Sequence, residues 1–496
     1  MTTTSSTTGS ISSAGIGSGL DVKGIISSLM AVESQPLQLL QDKASTVNTE
    51  ISAVGQIQSL TSTLSDKAHA LSSATLWTQT TSSSSDTSVV TADTSGGTAA
   101  AGDYQVSVQQ LAQGQTATLA APATALNAGS IVIQLGTYKT DTAVPPNTTF
   151  QAAGAPSPAI VIGAGDTSLA SIRDKINAAN AGVSASIITD ASGSRLSLRS
   201  TTTGAVNGFQ ITATETTDDG NPATGLSALN FDASTGAANS QLVNNQFAQD
   251  AKATVNGIAV TSSTNKLSNV SDGLSLTLLK KSDTPVDVSV STDTASMQKA
   301  ISDFVSSYSA LQSYISLQTK YDASTSVAAG TARTDGPLQG DPSIVGFQNQ
   351  LRAIVNTTST TSSMFARLSD LGIEVQKDGT LSIANNTKLT SALQHPDELS
   401  KLFTTFGTTN ENTGIAMRFA NLADNAVTVN GSLYTRADGL RSELSRNQKQ
   451  QDDMQTHLDA TQARLTAQYQ ALDTTMAQMS ALSSYVSQQV TMMEKA

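Results

Sequence analysis

The sequence contains no cysteine, and it is poor in aromatic and charged residues. Aromatic residues make up 4% of the chain and charged residues 13%, and Trp77 is the one tryptophan. Without cysteine the chain has no disulfides and no thiolate metal sites. The shortage of large aromatic side chains predicts hydrophobic cores that are small and distributed along the chain.

Clusters of basic residues are also missing. Acidic residues outnumber basic ones by 39 to 27, and the formal net charge is -12. Because phosphate groups are bound by clustered Lys and Arg, this balance argues against nucleic acid and anionic membranes as partners. No apolar run reaches roughly eighteen residues, so we expect no membrane-spanning helix. The first cation is Lys23, so we expect no conventional cleaved leader peptide.

The first apolar helical pattern follows a glycine-rich segment, SAGIGSGLD. Ser18 and Asp21 match a Ser/Thr-x-x-Asp/Glu capping box, which predicts a helix that begins near Gly19. Pro36 disfavours a helical conformation for Gln35 but is tolerated in a first helical turn. We therefore expect one helix to end and a second to begin at this point.

Both ends of the chain carry long apolar stripes with helical spacing. The N-terminal stripe has gaps of three and four residues, which alternate from Leu37 to Val54, as in one helix of a coiled coil. Its members are Leu37, Leu40, Ala44, Val47, Ile51, Val54, Ile57, Leu60, Leu64, Ala68 and Leu71. The C-terminal stripe consists of Met454, Leu458, Leu465, Tyr469, Leu472, Met476, Met479, Leu482, Val486 and Val490. A single helix cannot bury its own stripe, so each stripe needs a packing partner.

Between residues 79 and 292 the apolar period changes to two, which is typical of half-buried strands. The alternating sets are Tyr104, Val106 and Val108; Ile131, Ile133 and Leu135; Val183, Ala185 and Ile187; Leu196 and Leu198; Leu274, Leu276 and Leu278; and Val286, Val288 and Val290. Asn256 and Gly257 predict a two-residue hairpin turn, because a type I′ turn needs positive φ at both positions. A short helix is predicted near residues 169–179.

Helical spacing returns between Met297 and Ile315. Asp341 followed by Pro342 predicts an N-cap and a first-turn proline, and residues 373–383 predict another hairpin. The order of elements predicts an α+β multidomain fold. In this fold a terminal coiled-coil or helical bundle is built from both chain ends, and antiparallel β domains are inserted between them.

Residue types that carry catalysis are scarce and scattered. The chain has three histidines: His69, His395 and His457. They lack metal-ligand spacing, and we interpret them as structural or solvent-exposed. The glycines at residues 15–19 follow no strand and precede no P-loop lysine, so they are interpreted as a linker. The acidic pairs at residues 218–219 and 452–453 are interpreted as surface charge. We predict no enzymatic activity, no cofactor and no metal site.

Seven segments resemble, in order, the flagellar filament-capping protein family (FliD, hook-associated protein 2). They are GIGSGLDVKGIISSLMAVESQPLQLLQDK, GDYQVSVQQLAQGQ, TSLASIRDKINAANAGVSASII, ATVNGIAVTSSTNKLSNVSDGLSLTL, AISDFVSSYSALQSYI, GPLQGDPSIVGFQNQLRAIV and LSDLGIEVQKDGTLSI. The resemblance covers nearly the full chain. It implies a structural cap, in the form of a small ring and often a pentamer, that promotes insertion and folding of flagellin at the filament tip.

The resemblance also implies a location and partners. The protein would be secreted, extracellular and placed at the flagellum tip. Its partners would be other copies of itself, flagellin and the filament tip, and the flagellar type III export apparatus, with an export chaperone as a further candidate.

The resemblance divides the chain into discontinuous parts. Terminal coiled-coil segments would span residues 1–39 and 446–496, and a helical bundle domain with a β-hairpin would span 40–78 and 296–445. One β domain would span 79–116 and 240–295, and a nested β domain with a short helix would span 117–239. We expect the extreme ends to contact the filament or other subunits through Leu20, Val22, Ile25, Ile26, Leu29, Met30, Leu465, Leu472, Met476, Met479, Leu482 and Val486.

Two alternative functions remain open at this point. A flagellin or a hook-filament junction subunit has the same order of helix, strands and helix. An adhesin whose β domains bind host mucin or carbohydrate belongs to a different class, and the sequence shows no aromatic-lined segment in its favour.

Overall fold

The computed structural model describes residues 21–94, 99–120, 126–236, 241–322 and 335–493. The helices are α1 (Val22–Glu33), α2 (Gln35–Ser72), α3 (Ala74–Thr78), α4 (Leu169–Ala179), α5 (Thr294–Gln318), α6 (Pro342–Asn356), α7 (Asn386–Ala392), α8 (Pro396–Thr404), α9 (Ile415–Val427) and α10 (Ser432–Met493).

The strands lie mainly in the middle of the chain. They are β1 (Thr80–Ser84), β2 (Val90–Asp93), β3 (Gly102–Gln110), β4 (Thr116–Leu119), β5 (Gly129–Thr140), β6 (Thr148–Ala152), β7 (Ile160–Ile162), β8 (Val183–Asp190), β9 (Gly193–Ser200), β10 (Gly208–Glu215), β11 (Leu242–Gln246), β12 (Ala251–Val255), β13 (Ile258–Ser262), β14 (Lys266–Ser271), β15 (Leu274–Leu278), β16 (Ser282–Thr292), β17 (Ile373–Val375) and β18 (Leu381–Ile383). The chain divides into two compact units, residues 1–77 with 295–496 and residues 78–294.

The helical unit joins both ends of the chain around one hydrophobic core. Its largest buried side chains are aromatic: Phe419 packs edge-on against Phe304 and Tyr308, with ring centroids 5.1 and 5.7 Å apart. Trp77 stacks on Phe403 at 5.3 Å and donates its Nε1 hydrogen to the Leu71 carbonyl oxygen at 3.0 Å. These aromatic contacts join several helices of the unit.

The β unit contains two hydrophobic cores. One lies among a five-stranded sheet of order β1-β16-β3-β12-β13 and a three-stranded sheet of order β14-β15-β2. The other lies among a sheet of order β10-β5-β6, which β7 joins, a sheet of order β11-β4-β9-β8, and helix α4. All paired strands in the described part of this unit are antiparallel.

Several local predictions from the sequence are confirmed. Val255 pairs with Ile258 across the predicted turn, and Asn256 and Gly257 have φ values of 48° and 80°. The side chain of Asp341 caps α6 by accepting a hydrogen bond from the Ser343 amide at 2.9 Å. The predicted α+β class, with helical ends and inserted antiparallel sheets, is confirmed as well.

The two ends of the chain meet where α2 packs along α10. Lys43 Nζ lies 2.9 Å from Glu443 Oε1, whereas Glu50 lies beside Arg436. As the residue number rises along α2, the residue number of the partner on α10 falls. The two helices are therefore antiparallel.

Arg436 links three helices through charge. Its Nη2 donates to Glu50 on α2 at 3.1 Å, and its Nε donates to Asp341, the residue that caps α6. Burial raises the pKa of Glu50, and the positive charge of Arg436 lowers it by a smaller amount. At the more exposed neighbouring pair, the hydrogen bond from Lys43 lowers the pKa of Glu443. The two glutamates therefore respond to pH with opposite sign.

Truncation of Phe419 should destabilise the helical unit. Because the Phe419→Ala change removes a fully buried ring that touches two other rings, we expect the free energy of unfolding to fall by about 3–5 kcal/mol. Trp77 belongs to this unit and its fluorescence reports the transition during urea titration. Phe406→Ala is the matched control, since Phe406 is 80% exposed, and it should change stability by less than about 0.5 kcal/mol. Equal effects of the two variants would contradict the packing described here.

Neutralisation of Glu50 and of Glu443 should have opposite effects at pH 7. The folded protein holds a proton on Glu50 more tightly than the unfolded chain does, so its ionised form reduces stability at neutral pH. Glu50→Gln should be at least as stable as the unsubstituted protein at pH 7, with the difference closing as pH falls to about 4. Glu443→Gln should be less stable than the unsubstituted protein at pH 7. The difference in the free energy of unfolding should shrink only below about pH 4.5, where Glu443 becomes protonated in the unfolded chain.

Urea titrations across this pH range test both variants. A Glu50→Gln protein that is less stable at pH 7, by an amount that does not shrink on acidification, would show that the Glu50 charge is net stabilising.

Candidate assembly surface on the terminal helices

Helix α1 begins slightly later than the sequence predicted. Asp21 is its N-cap, with its Oδ1 accepting a hydrogen bond from the Gly24 amide at 2.9 Å, and the helix starts at Val22 rather than near Gly19. Ser18, the predicted partner in a capping box, lies outside the described residues. A carboxylate that accepts from an unpaired amide at the third helical residue is sufficient to cap the helix by itself.

The predicted break between the first two helices is present. Ser34 separates α1 from α2, and Pro36 lies in the first turn of α2 as expected. Gln35 nevertheless belongs to α2, so the restriction imposed by Pro36 does not exclude it from the helix.

Helix α1 packs along α10 in the single chain. Val22 is 2% exposed and Leu458 is 4% exposed, and neither belongs to the main core of the helical unit. Val22 was expected to be covered by another molecule, but here it is an intrachain contact. Helix α10 packs against both α1 and α2, so the chain itself supplies this cover.

The other predicted contact residues on α1 retain accessible surface. Ile25, Ile26 and Met30 are half-buried, and Leu29 is exposed. Leu20 lies outside the described residues. The isolated chain therefore covers the first helix only in part.

Helix α10 continues past the part that its own chain buries. Leu458 and Thr461 are its last buried residues, and no residue between 462 and 493, all of them described, is buried. Among the predicted contacts on α10, Leu465 is half-buried. The others, together with Val490 of the C-terminal stripe, form an exposed row that we call the distal stripe. The distal stripe consists of Leu472, Met476, Met479, Leu482, Val486 and Val490.

The electrostatics of this segment differ from those of an ordinary solvent-exposed helix. Between Leu465 and Met493 the sequence has one charged residue, Asp473. Exposed helices normally carry charged side chains that face water and form pairs along one face. An apolar stripe without flanking charges is typical of a surface that another molecule covers.

Sequence analysis missed a second apolar feature on these helices. Leu39 is 69% exposed and lines a groove of 610 Å³ between α2 and α10, together with Leu40, Met454 and His457. Leu39 lies beside the N-terminal stripe and not within its spacing, so periodicity gave no signal. The adjacent pair Leu39-Leu40 was the one available indication that two faces of α2 are apolar.

Most residues considered for chemistry are separate from these surfaces, but Asp453 and His457 line the groove. His69 Nε2 lies 2.9 Å from Asp424 Oδ2, and His395 is the N-cap of α8. Glu215, Asp218 and Asp219 form an acidic cluster with ligand atoms within 4.8 Å of one another. Asp219 is exposed, and hydrogen bonds from Thr224 and Asn221 lower its pKa. These contacts are those of a turn at the surface.

None of the described helices combines the length and the apolar character that crossing a bilayer requires.

Comparison with protein families identifies relatives along most of the chain. The model for the flagellar hook-associated protein 2 N-terminus matches residues 18–115, and the model for its C-terminus matches residues 248–481. Between them, residues 149–202 match the flagellin hook IN motif. The terminal matches include most of the helices that carry the exposed apolar surface.

Individual relatives agree with this result. Flagellar hook-associated protein 2 of Escherichia coli strain K12 is 32% identical over 483 residues, which cover 97% of this chain and 98% of that protein. B-type flagellar hook-associated protein 2 of Pseudomonas aeruginosa is 32% identical over 443 residues, 86% of each chain. The crystal structure of the flagellar cap protein FliD D1-D2-D3 domains from Escherichia coli superposes with a TM-score of 0.57 at 30% identity, covering 78% of this chain and 99% of that one. The chain therefore belongs to the flagellar hook-associated protein 2 family.

Proposed function

We propose that this protein is the structural cap at the distal tip of the bacterial flagellar filament, where it promotes ordered insertion and folding of flagellin. The observation that carries the proposal is the distal stripe, an uncharged apolar row on a helix that its own chain leaves uncovered. In a family named for flagellar hook-associated and cap proteins, the molecules available to cover it are other copies of the protein and flagellin.

The energetics favour cover by other molecules. Met479 is 64% exposed and Leu482 is 62% exposed. Removal of a large apolar side chain from water stabilises a complex by roughly 1–2 kcal/mol when the side chain starts partly buried. Six such side chains along one helix face supply enough free energy to hold a segment in an assembly, because association and ordering consume only part of it.

The proposed assembly is a ring of copies that rests on the filament end, and the family resemblance implies five of them. In this arrangement residues 1–39 and 446–496 insert into the tip, and residues 40–78 with 296–445 form a helical bundle above it. Residues 79–116 with 240–295, and the nested residues 117–239, form the outer β domains. The role is structural and not catalytic.

The proposed route to the tip is export through the flagellar type III apparatus, with an export chaperone as a candidate partner. The protein is then secreted and extracellular. A chain without cysteine suits this route, because it can be unfolded for passage without a disulfide to reduce.

The alternatives receive less support. Flagellins and junction subunits share the order of elements, but the similarity over 97% of the chain is to a hook-associated protein 2. For an adhesin that binds mucin or carbohydrate through the β domains, no specific observation is available.

Two charges placed in the distal stripe should abolish capping. In a strain that lacks this gene, we expect unpolymerised flagellin in the medium and missing filaments, and added protein should restore filament growth. The Leu472→Asp/Met476→Asp variant should fail to restore growth, because two carboxylates would have to lose water in an apolar contact. Filament counts by electron microscopy and flagellin in the supernatant measure the result.

The matched control places the same charges on the opposite side of the same helix. Thr474→Asp/Gln478→Asp has the same spacing, and both of its positions are exposed. We expect it to restore growth, with circular dichroism showing equal helix content in both variants. Restoration by the Leu472→Asp/Met476→Asp protein would remove the distal stripe from the contact surface, and normal filaments in the deletion strain would refute the capping role.

Amide exchange should locate the covered segment directly. In the free protein we expect fast exchange at residues 470–493, because none of these residues is buried. On filament tips the same amides should exchange slowly. Residues 415–427 of α9 have a buried face and serve as the internal reference, with slow exchange in both states. Equal protection of residues 470–493 in both states would contradict the proposal.

A further inference from the structure

A cavity of 430 Å³ lies in the helical unit, away from the distal stripe, between α6, α9 and the loop at residues 407–413. Ile354 and Leu422 contribute apolar surface to it, and most of its other lining residues are polar, among them Gln350, Asn410 and Asn421. Convergent polar groups beside an apolar surface are what a pocket needs to bind and orient a small molecule.

Arg418 lines this cavity and is 4% exposed. Its Nε donates to the Thr413 carbonyl oxygen at 2.8 Å, and its Nη1 donates to the Thr357 carbonyl oxygen at 3.3 Å. Its Nη2 is buried and has no hydrogen-bond acceptor among the residues that the structure describes. A buried donor without an acceptor costs roughly 1–3 kcal/mol, and more when the group is charged, so such groups are rare without a partner.

The charge of Arg418 is also incompletely balanced. Within the described ranges, no carboxylate lies within 4.0 Å of its guanidinium nitrogens. Burial lowers the pKa of Arg418, and the more distant charge of Glu411 offsets this only in part. A buried cation in this situation favours the entry of an anion.

The position of Arg418 on its helix adds a second, independent reason. It lies in the first turns of α9, whose N-cap is Gly414 and has no side chain to accept from the free amides. The amino end of a helix carries partial positive charge and favours an anion, whereas a cation there is unfavourable. The guanidinium and the helix end therefore select ligands of the same sign.

We propose that this cavity is a binding site for a carboxylate carried on a short aliphatic stem. The carboxylate accepts hydrogen bonds from Arg418 and from the side-chain amides of Gln350 and Asn421, and the stem packs against Ile354 and Leu422. Nη2 is the guanidinium nitrogen without an acceptor, and a hydrogen bond from a charged donor to a carboxylate is among the stronger ones in proteins. The cavity has room for a group of amino-acid size, since a water molecule takes about 30 Å³ of liquid volume.

Such a carboxylate has two sources, a free small molecule or an acidic side chain of a protein. Calorimetric titration of the full chain should therefore use two probes, N-acetylglutamate and the peptide acetyl-Ala-Glu-Ala-amide. Acetyl-Ala-Gln-Ala-amide and sodium chloride at equal ionic strength are the matched controls. We expect saturable binding of at least one carboxylate probe, with binding to the glutamine peptide at least tenfold weaker and none to chloride.

Two variants place the binding in the cavity. Arg418→Gln removes the charge and should weaken binding at least tenfold. Ala353→Phe leaves Arg418 in place and fills the cavity from its exposed α6 wall, so it tests the site even if Arg418→Gln does not fold. Its control is Ala178→Phe, an exposed helical position on α4 in the other unit.

The outcomes decide the proposal. Binding that Ala353→Phe abolishes and Ala178→Phe preserves supports it, and the stronger of the two probes identifies the source of the carboxylate. The proposal is overturned if neither probe binds saturably, if the glutamine peptide binds equally well, or if Ala353→Phe leaves binding unchanged.

Discussion

The antiparallel packing of α2 along α10 is the contact on which the rest of the structure depends. It joins two segments that are separated by more than half of the chain, and it closes the helical unit around a single core. Loop closure over such a distance is entropically costly, so the contact must be extensive and specific. Val47 on α2 and Leu440 on α10 are buried in that core, and Arg436 adds specificity by bonding to Glu50 and to the cap of α6.

The same packing explains why an apolar surface remains exposed. Helix α10 has 62 residues and is about 93 Å long at 1.5 Å per residue. Its chain supplies cover as far as Leu458 and Thr461, where α1 accompanies it, and no buried residue follows in the described part. The helix therefore presents its distal stripe without a partner, while the proximal part is fixed by the core. A rigid base with an uncovered extension is a suitable geometry for docking to another molecule.

Much of the local structure could be predicted from the sequence. Alternation of apolar residues identified β3 and β16, the Asn256-Gly257 pair identified the β12–β13 turn, and Asp341-Pro342 identified the start of α6. These signals are local because backbone conformation at a turn or cap depends on a few neighbouring residues. The start of α1 was predicted less well, since the capping-box pattern of Ser18 and Asp21 indicated a start near Gly19, whereas Asp21 is itself the N-cap and the helix starts at Val22.

The sequence by itself determined which faces of the terminal helices are apolar, because helical spacing places residues three and four apart on one face. Only the tertiary structure decided which parts of those faces are covered within the chain. Val22 is buried against its own chain and Leu472 is exposed, although both belong to similar stripes. The cavity beside Arg418 likewise had no sequence signal, because it is formed by α6, α9 and a loop that approach one another only in the folded chain. Burial depends on which distant segment packs on a residue, and periodicity along one segment carries no information about that.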